Sequence, residues 1–214
     1  MKEEKVFFPS GGIQLEGLLS IHEALSVKGG VVLCHPHPQY GGDMHNRVIT
    51  TALETAHQEG FSTLRFNFRG VGDSGGSYSE GIGEMEDVEA AIEFLHSKQK
   101  EPNLPLILLG YSFGAWTGIP VAIKDERVKG VVAISPPLDI YDFNFMKGCK
   151  KKKLIIVGDR DTWCSSSLLK DWYQQLDEPK SLTLIQGTDH FYSFKANLLV
   201  PPLRNFFKEI SLEF

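Results

Sequence analysis

The chain has few cysteines, no long apolar run and no excess of basic charge. Its three cysteines, Cys34, Cys149 and Cys164, form neither an even disulfide framework nor a paired metal-ligand spacing, which predicts reduced thiols and a cytoplasmic location. No segment approaches membrane-spanning length and the first residues lack a cleavable apolar leader, so we expect no membrane partner. The net charge of -5 argues against nucleic acid as a partner, because phosphate binding needs a concentrated basic face.

One local concentration of basic residues stands out against this background. Lys147 is followed by four consecutive lysines at positions 150–153, just before an apolar segment. The pattern predicts a solvated loop, with an anion site as the alternative.

Apolar strand-like runs alternate with helical patterns along most of the chain. The predicted strands are residues 5–8, 13–21, 30–34, 61–66, 104–109, 130–134, 153–157 and 181–185, and the predicted helices are residues 47–58, 85–97, 113–124, 166–176 and 196–209. The first two strands form an antiparallel pair, and the rest predict an α/β fold with a doubly wound, mostly parallel β-sheet. A hydrophobic content of 42% is enough for one domain spanning residues 1–214. Gly118 and Pro120 predict a kink in the third helix.

The sequence Gly-Tyr-Ser-Phe-Gly at 110–114 lies between a predicted strand and a predicted helix. A sharp turn there strains its central residue, Ser112, and the flanking glycines leave room where side chains would collide. With 21 glycines in 214 residues, the pattern alone arises by chance in roughly one such chain in seven. Two downstream residues strengthen it, because Asp161 and His190 each follow a predicted strand.

The order serine, aspartate, histidine resembles the α/β-hydrolase fold. The His-Pro-His-Pro-x-x-Gly-Gly segment at 35–42, Arg-Phe-Asn-Phe-Arg-Gly-Val-Gly-x-Ser at 65–74 and Gly-Tyr-Ser-Phe-Gly are similar to small bacterial dienelactone-hydrolase-like or serine-aminopeptidase-like hydrolases. The resemblance covers nearly the whole chain and implies Asp161 as the triad acid, with Asp159 and Asp139 as alternatives. True dienelactone hydrolases carry a cysteine nucleophile, whereas this chain has Ser112.

The expected chemistry assigns a role to each residue. Ser112 is the nucleophile and needs a base, for which His190 is the candidate. The first oxyanion donor is the backbone N–H of Phe113. Proline has no N–H, which leaves His35 and His37 as donors between residues 35 and 38, and the resemblance points to the main chain of His37 rather than its imidazole.

Aromatic residues in the predicted loops supply candidates for substrate binding. Tyr40, Trp163 and Phe191 are expected to contact substrate, and Phe113 and Phe143 are further candidates for an acyl pocket. Residues 135–152 are too few for a helical lid, so we expect an open site without a large lid domain. Cys164 is expected to be a small buried filler.

Two other segments have residues that could form a different kind of site. His35, His37 and His45 could form a metal site, but no acidic partner completes a ligand set, so we expect no metal and no cofactor. The glycine-rich segment at 70–76 lacks the lysine of a phosphate loop and predicts a turn beside the site, with Arg69 or Asp73 in structural hydrogen bonds. Asp87 either pins that turn or is an exposed carboxylate.

The sequence therefore predicts a serine hydrolase, most simply a carboxylesterase acting on small or short-acyl esters. Amide, peptide and thioester substrates use the same triad and stay open. A hydrolase-like binding module without activity is the alternative from another class. The expected partner is a small acyl substrate, and the protein is expected to be a monomer or homodimer.

Overall fold

The computed structural model describes residues 1–23, 27–101 and 103–212. Within them, one eight-stranded sheet has the order β1-β2-β4-β3-β5-β6-β7-β8. The strand β2 is antiparallel to both of its neighbours, and all other pairs are parallel, which confirms the predicted mostly parallel sheet. The strands are β1 Glu4–Ser10, β2 Ile13–Ser20, β3 Gly29–Cys34, β4 Phe61–Phe66, β5 Leu106–Tyr111, β6 Val128–Ile134, β7 Lys152–Gly158 and β8 Lys180–Ile185.

Helices cover both faces of the sheet. They are α1 Arg47–Gln58, α2 Ile82–Lys98, α3 Phe113–Lys124, α4 Ser166–Gln174 and α5 Val200–Ile210. Alternate residues of a strand enter opposite cores: Val32 packs in the core with α2, α3 and α4, whereas Val31 packs in the core with α1 and α5. The central strands are buried along their whole length, as two covered faces require.

The third helix has the predicted bounds, with Pro120 inside it. The last predicted helix begins as a 3₁₀ turn, Ala196–Leu199, and becomes α-helical at Val200. Prolines in the first turn of α5 suit that position because the first N–H groups of a helix have no partner inside it.

The lysine run is not wholly a solvated loop, so that prediction was wrong for its second half. Lys152 and Lys153 belong to β7, and Lys153 is completely buried. Its Nζ donates hydrogen bonds to the carbonyls of Asp177 (2.8 Å) and Pro179 (3.1 Å). Burial is tolerated because these carbonyls satisfy the amine while the aliphatic stem packs in the interior.

The loops that carry the candidate residues lie at one edge of the sheet. Because β3 to β8 run parallel, the segments beginning at His35, Asn67, Ser112, Ser135, Asp159 and Gln186 all leave the carboxyl ends of strands. Between β6 and β7 there is a single 3₁₀ turn, Asn144–Met146, and no α-helix, so a large lid is absent from this part of the chain.

Candidate active site

Ser112 lies at the junction of β5 and α3 with φ 55° and ψ −116°, a strained conformation for a residue with a side chain. The neighbouring glycines are required by space. A Cβ on Gly110 would lie 2.4 Å from the backbone of Ala115, and one on Gly114 would lie 2.2 Å from the carbonyl oxygen of Cys34. The turn is fixed further by a 2.9 Å hydrogen bond from the Ser112 N–H to the carbonyl of Ile134.

A chain of hydrogen bonds joins the three predicted triad residues. His190 Nε2 is 2.9 Å from Ser112 Oγ, and His190 Nδ1 is 2.9 Å and 3.0 Å from the two carboxylate oxygens of Asp161. All three residues are buried, although Ser112 still borders a surface cleft. Since Nδ1 faces an acceptor-only carboxylate, the neutral imidazole carries its proton on Nδ1 and leaves Nε2 to accept from the serine hydroxyl.

Asp161 is held in its ionised form. Burial by itself raises the pKa of the carboxyl, but hydrogen bonds from His190, Ser135 and the N–H of Trp163, together with the positive charge that His190 carries when it is protonated, outweigh burial and lower the pKa below its usual value. The two alternative acids are engaged elsewhere. Asp139 accepts from Ser165, and Asp159 accepts from the N–H of Gly187.

Three supporting residues escaped the sequence analysis. Tyr111 donates its hydroxyl to the His190 carbonyl at 2.9 Å, and Ser135 Oγ lies 3.0 Å from the hydroxyl of Tyr192. Both tyrosines are almost fully buried, and each hydroxyl has a hydrogen-bond partner as burial requires. Tyr111 and Ser135 lie at the carboxyl ends of β5 and β6, and this position in the sequence could have indicated that they are near the site. No sequence pattern indicated Tyr192.

The two predicted oxyanion loops abut each other. Gly114, in the first turn of α3, touches the backbone of Cys34 and His35, and the ring centroids of His37 and Phe113 are 4.7 Å apart. The Phe113 side chain is completely buried, so its contribution to a site comes from its main chain.

The cleft beside Ser112 has a volume of about 80 Å³ and is partly aromatic. Trp163 packs on His190 with ring centroids 4.3 Å apart, while Phe191 (60% exposed) and Tyr40 (81% exposed) lie at its rim. Phe143, in contrast, packs on Trp172 away from the cleft, so its placement in an acyl pocket was wrong. A much larger cleft of about 750 Å³ is lined by residues such as His22 and His57 but by none of the triad residues.

The structure also bears on two other predictions, the alternative metal site at the histidines and the turn formed by the glycine-rich segment. His35 Nε2 accepts from the Phe68 N–H at 3.1 Å and Nδ1 lies 2.6 Å from the Pro36 carbonyl, so both nitrogens are occupied. Burial lowers the pKa of His35 to about 4. Among the described residues no cluster of three or more His, Cys, Asp or Glu side chains could hold a metal ion. Asp87 is fully buried and pins the glycine-rich turn by accepting from Arg69.

The cysteines and the apolar content of the helices can be compared directly with the predictions from the sequence. All three thiols are free and buried, and burial raises the pKa of Cys164 to about 12, as suits a buried filler. No helix in residues 1–23, 27–101 or 103–212 is long and apolar enough to cross a membrane.

Comparison with known proteins places the chain in a family. Residues 26–153 match the family described as "Serine aminopeptidase, S33", a segment that contains Ser112 and ends before Asp161. The chain is 36% identical to an uncharacterised protein of Rickettsia prowazekii over 77% of this chain and 72% of that protein. It is 30% identical to the thiohydrolase apmlB of Arthrinium phaeospermum over 74% of this chain, and spans about half of that protein's length.

Solved structures are similar over almost the whole chain. An α/β serine hydrolase homologue from Coxiella burnetii superposes with a TM-score of 0.87 at 30% identity, covering 96% of this chain and 97% of that one. An α/β serine hydrolase without lid from Xanthomonas campestris gives a TM-score of 0.87 at 28% identity, covering 98% and 95%. A Pyrococcus furiosus esterase, at 20% identity and a TM-score of 0.84 over 97% and 91% of the chains, shares the fold.

The strand order and these likenesses define an α/β serine hydrolase. More specifically, the chain belongs to the family described as serine aminopeptidase, S33, in the α/β-hydrolase superfamily.

Proposed function

We propose that this protein is a carboxylesterase that cleaves small or short-acyl esters through an acyl-enzyme on Ser112. The observation that carries the proposal is the continuous hydrogen-bond chain from Asp161 through His190 to Ser112, with 2.9 Å between His190 Nε2 and Ser112 Oγ. A serine hydroxyl is a weak nucleophile unless a base removes its proton, and this distance lets His190 do so.

Two half-reactions follow from the arrangement. Ser112 Oγ attacks the acyl carbon and its proton passes to His190 Nε2; the carbonyl oxygen becomes an oxyanion that accepts from the N–H groups of Phe113 and His37. Collapse breaks the bond to the alcohol oxygen, which takes the proton from His190. Water then attacks the acyl-enzyme, gives a proton to His190, and the acid leaves as that proton returns to Ser112. Asp161 stays ionised and stabilises the imidazolium in both halves.

The dimensions and lining of the cleft favour small neutral substrates. Its volume of about 80 Å³ is well below the roughly 300–1,000 Å³ of pockets for drug-sized ligands. Among the described residues that line it there is no Lys, Arg, Asp or Glu. A carboxylate is the strongest partner for the free ammonium of an aminopeptidase substrate, so a lining without one favours neutral esters over such peptides. The proposed reaction requires no cofactor.

Thioesters are the second candidate substrate class. The likeness to a thiohydrolase, at 30% identity, favours them, although this chain spans only half of that protein. Thioesters need the same nucleophile, base and oxyanion donors. The ratio of kcat/KM for an acetyl thioester and for the matching acetyl ester separates the two.

The test compares two serine variants with p-nitrophenyl acetate as substrate. Ser112→Ala should lower kcat at least about 10³-fold because it removes the nucleophile. Ser193→Ala, an exposed serine in the loop of His190, should retain full turnover. Wild-type turnover by Ser112→Ala would refute the proposal. A fluorophosphonate probe that fails to label Ser112 would instead favour a non-catalytic binding module.

A further inference from the structure

The His37 imidazole is hydrogen-bonded at both ring nitrogens. The Gln39 N–H donates to Nδ1 at 3.2 Å, and the Tyr78 hydroxyl oxygen is 3.2 Å from Nε2. Because Nδ1 accepts a hydrogen bond, the neutral ring carries its proton on Nε2 and donates it to Tyr78. Burial lowers the pKa of His37, which favours this neutral form.

The same ring is packed between aromatic neighbours. Its centroid lies 4.7 Å from Phe113, 4.7 Å from Tyr40 and 5.1 Å from Tyr78. The two residues whose N–H groups are the proposed oxyanion donors, His37 and Phe113, therefore touch through their side chains. A displaced imidazole would carry the His37 main chain with it.

Tyr78 stands on a rigid support. The buried carboxylate of Glu84 accepts from the N–H groups of Ser79 (2.9 Å) and Gly81 (2.8 Å). Trp116 packs directly under Gly81, where an added Cβ would meet its ring at 2.4 Å. The loop that presents the Tyr78 hydroxyl is thus held by a buried acid and by α3 itself.

We infer that Tyr78 is a positioning residue, which fixes the His37 loop of the oxyanion hole through its hydrogen bond to the His37 imidazole. The inference rests on the proposed function. Tyr78 does not line the cleft beside Ser112. Its ring lies 6.0 Å from the ring of Phe113, but its hydroxyl meets His37, so the hydroxyl acts on the transition state through His37. An oxyanion donor stabilises the transition state more than bound substrate, and its misplacement lowers kcat more than it raises KM.

Removal of one hydroxyl tests this with a matched control. Tyr78→Phe keeps the ring and removes the hydrogen bond; kcat for p-nitrophenyl acetate should fall about 5- to 20-fold while KM changes less than about two-fold. Tyr141→Phe is the control, because Tyr141 stacks on Trp116 in the same aromatic cluster and its hydroxyl makes no hydrogen bond to a described residue. It should retain wild-type kcat.

A second variant guards against a merely structural loss. His37→Asn keeps the backbone N–H and an oxygen that can accept from Gln39, but its shorter side chain has no nitrogen at the position of Nε2, the atom that meets Tyr78. The double variant that combines His37→Asn with Tyr78→Phe should lose no more kcat than His37→Asn alone, because the two substitutions remove the same hydrogen bond. The affinity for a phenylboronic acid transition-state analogue should fall by the same factor as kcat.

The possible failures are distinguishable. The positioning role is overturned if Tyr78→Phe keeps wild-type kcat, or if the losses in the double variant are additive. The proposed function still stands in that case, provided that the unmodified protein hydrolyses the ester. Absence of ester turnover in the unmodified protein, with Ser112 unlabelled by fluorophosphonate, overturns both.

Discussion

Replacement of Asp161 by asparagine is the most exacting test of the proposed triad, because it changes one oxygen to nitrogen. The Trp163 N–H donates to Oδ1 at 2.9 Å, so the asparagine oxygen must keep that position. Its amide nitrogen then replaces Oδ2, which is 2.9 Å from His190 Nδ1, while the asparagine oxygen stays 3.0 Å from the same nitrogen. An N–H donor at the nearer position opposes a proton on Nδ1 and shifts the imidazole toward the tautomer with its proton on Nε2, which cannot accept from Ser112.

The expected loss can be built from two contributions. A hydrogen bond to a charged group is worth about 1.5–3 kcal/mol, and the wrong tautomer adds about 2 kcal/mol. Together they make about 3.5–5 kcal/mol, or a decrease in kcat of about 400- to 5,000-fold.

Steady-state hydrolysis of p-nitrophenyl acetate measures the loss, with Asp139→Asn as the control. Asp139 is likewise a carboxylate after a strand, but it accepts from Ser165 and not from His190, so its variant should keep kcat within about three-fold of wild type. The reasoning is refuted if Asp161→Asn keeps a tenth of the activity, or if the control loses as much.

Two further predictions concern stability. Gly114→Ala should lower the free energy of unfolding, measured by urea titration, by about 3 kcal/mol, because its Cβ would stand 2.2 Å from the Cys34 carbonyl oxygen. Gly75→Ala is the control, because its Cβ would meet nothing nearer than 3.4 Å. Equal losses of stability in the two variants would contradict the packing argument. Burial lowers the pKa of His35 from 6.5 to about 4, so the unfolded chain takes up its proton first and stability falls as the pH drops from 6.5 to 4, by about 3 kcal/mol. His35→Gln should show a shallower pH dependence, and an unchanged slope would show that other groups cause it.

The fold was predictable because its signals are local and repeated. Buried parallel strands produce apolar runs in the sequence, and each was found to within a few residues. The order of Ser112, Asp161 and His190 was readable for the same reason, since each follows such a run. The choice among Asp139, Asp159 and Asp161 was not, because all three follow strands and only their hydrogen-bond partners separate them.

Side-chain environment accounts for the remaining errors. A lysine run predicts solvent exposure, yet Lys153 is buried because two carbonyls from distant residues meet its amine. Phe143 lies in a loop near the site in sequence, but its ring packs on Trp172 of α4. The contact of Tyr78 with His37 joins residues 41 positions apart and leaves no periodicity or motif in the sequence. Such contacts depend on tertiary packing, which local patterns do not encode.

The packing around the turn at Ser112 limits which residues near the cleft can change and so alter substrate specificity. Gly110 and Gly114 have no space for even a methyl group, so neither position can accept a larger residue through natural variation or design. Tyr40 and Phe191 stand mostly in solvent at the rim, where exchanges of side chain cost little folding energy. If the proposed esterase activity holds, changes at the rim can therefore admit bulkier acyl or alcohol groups while the turn around Ser112 stays unchanged.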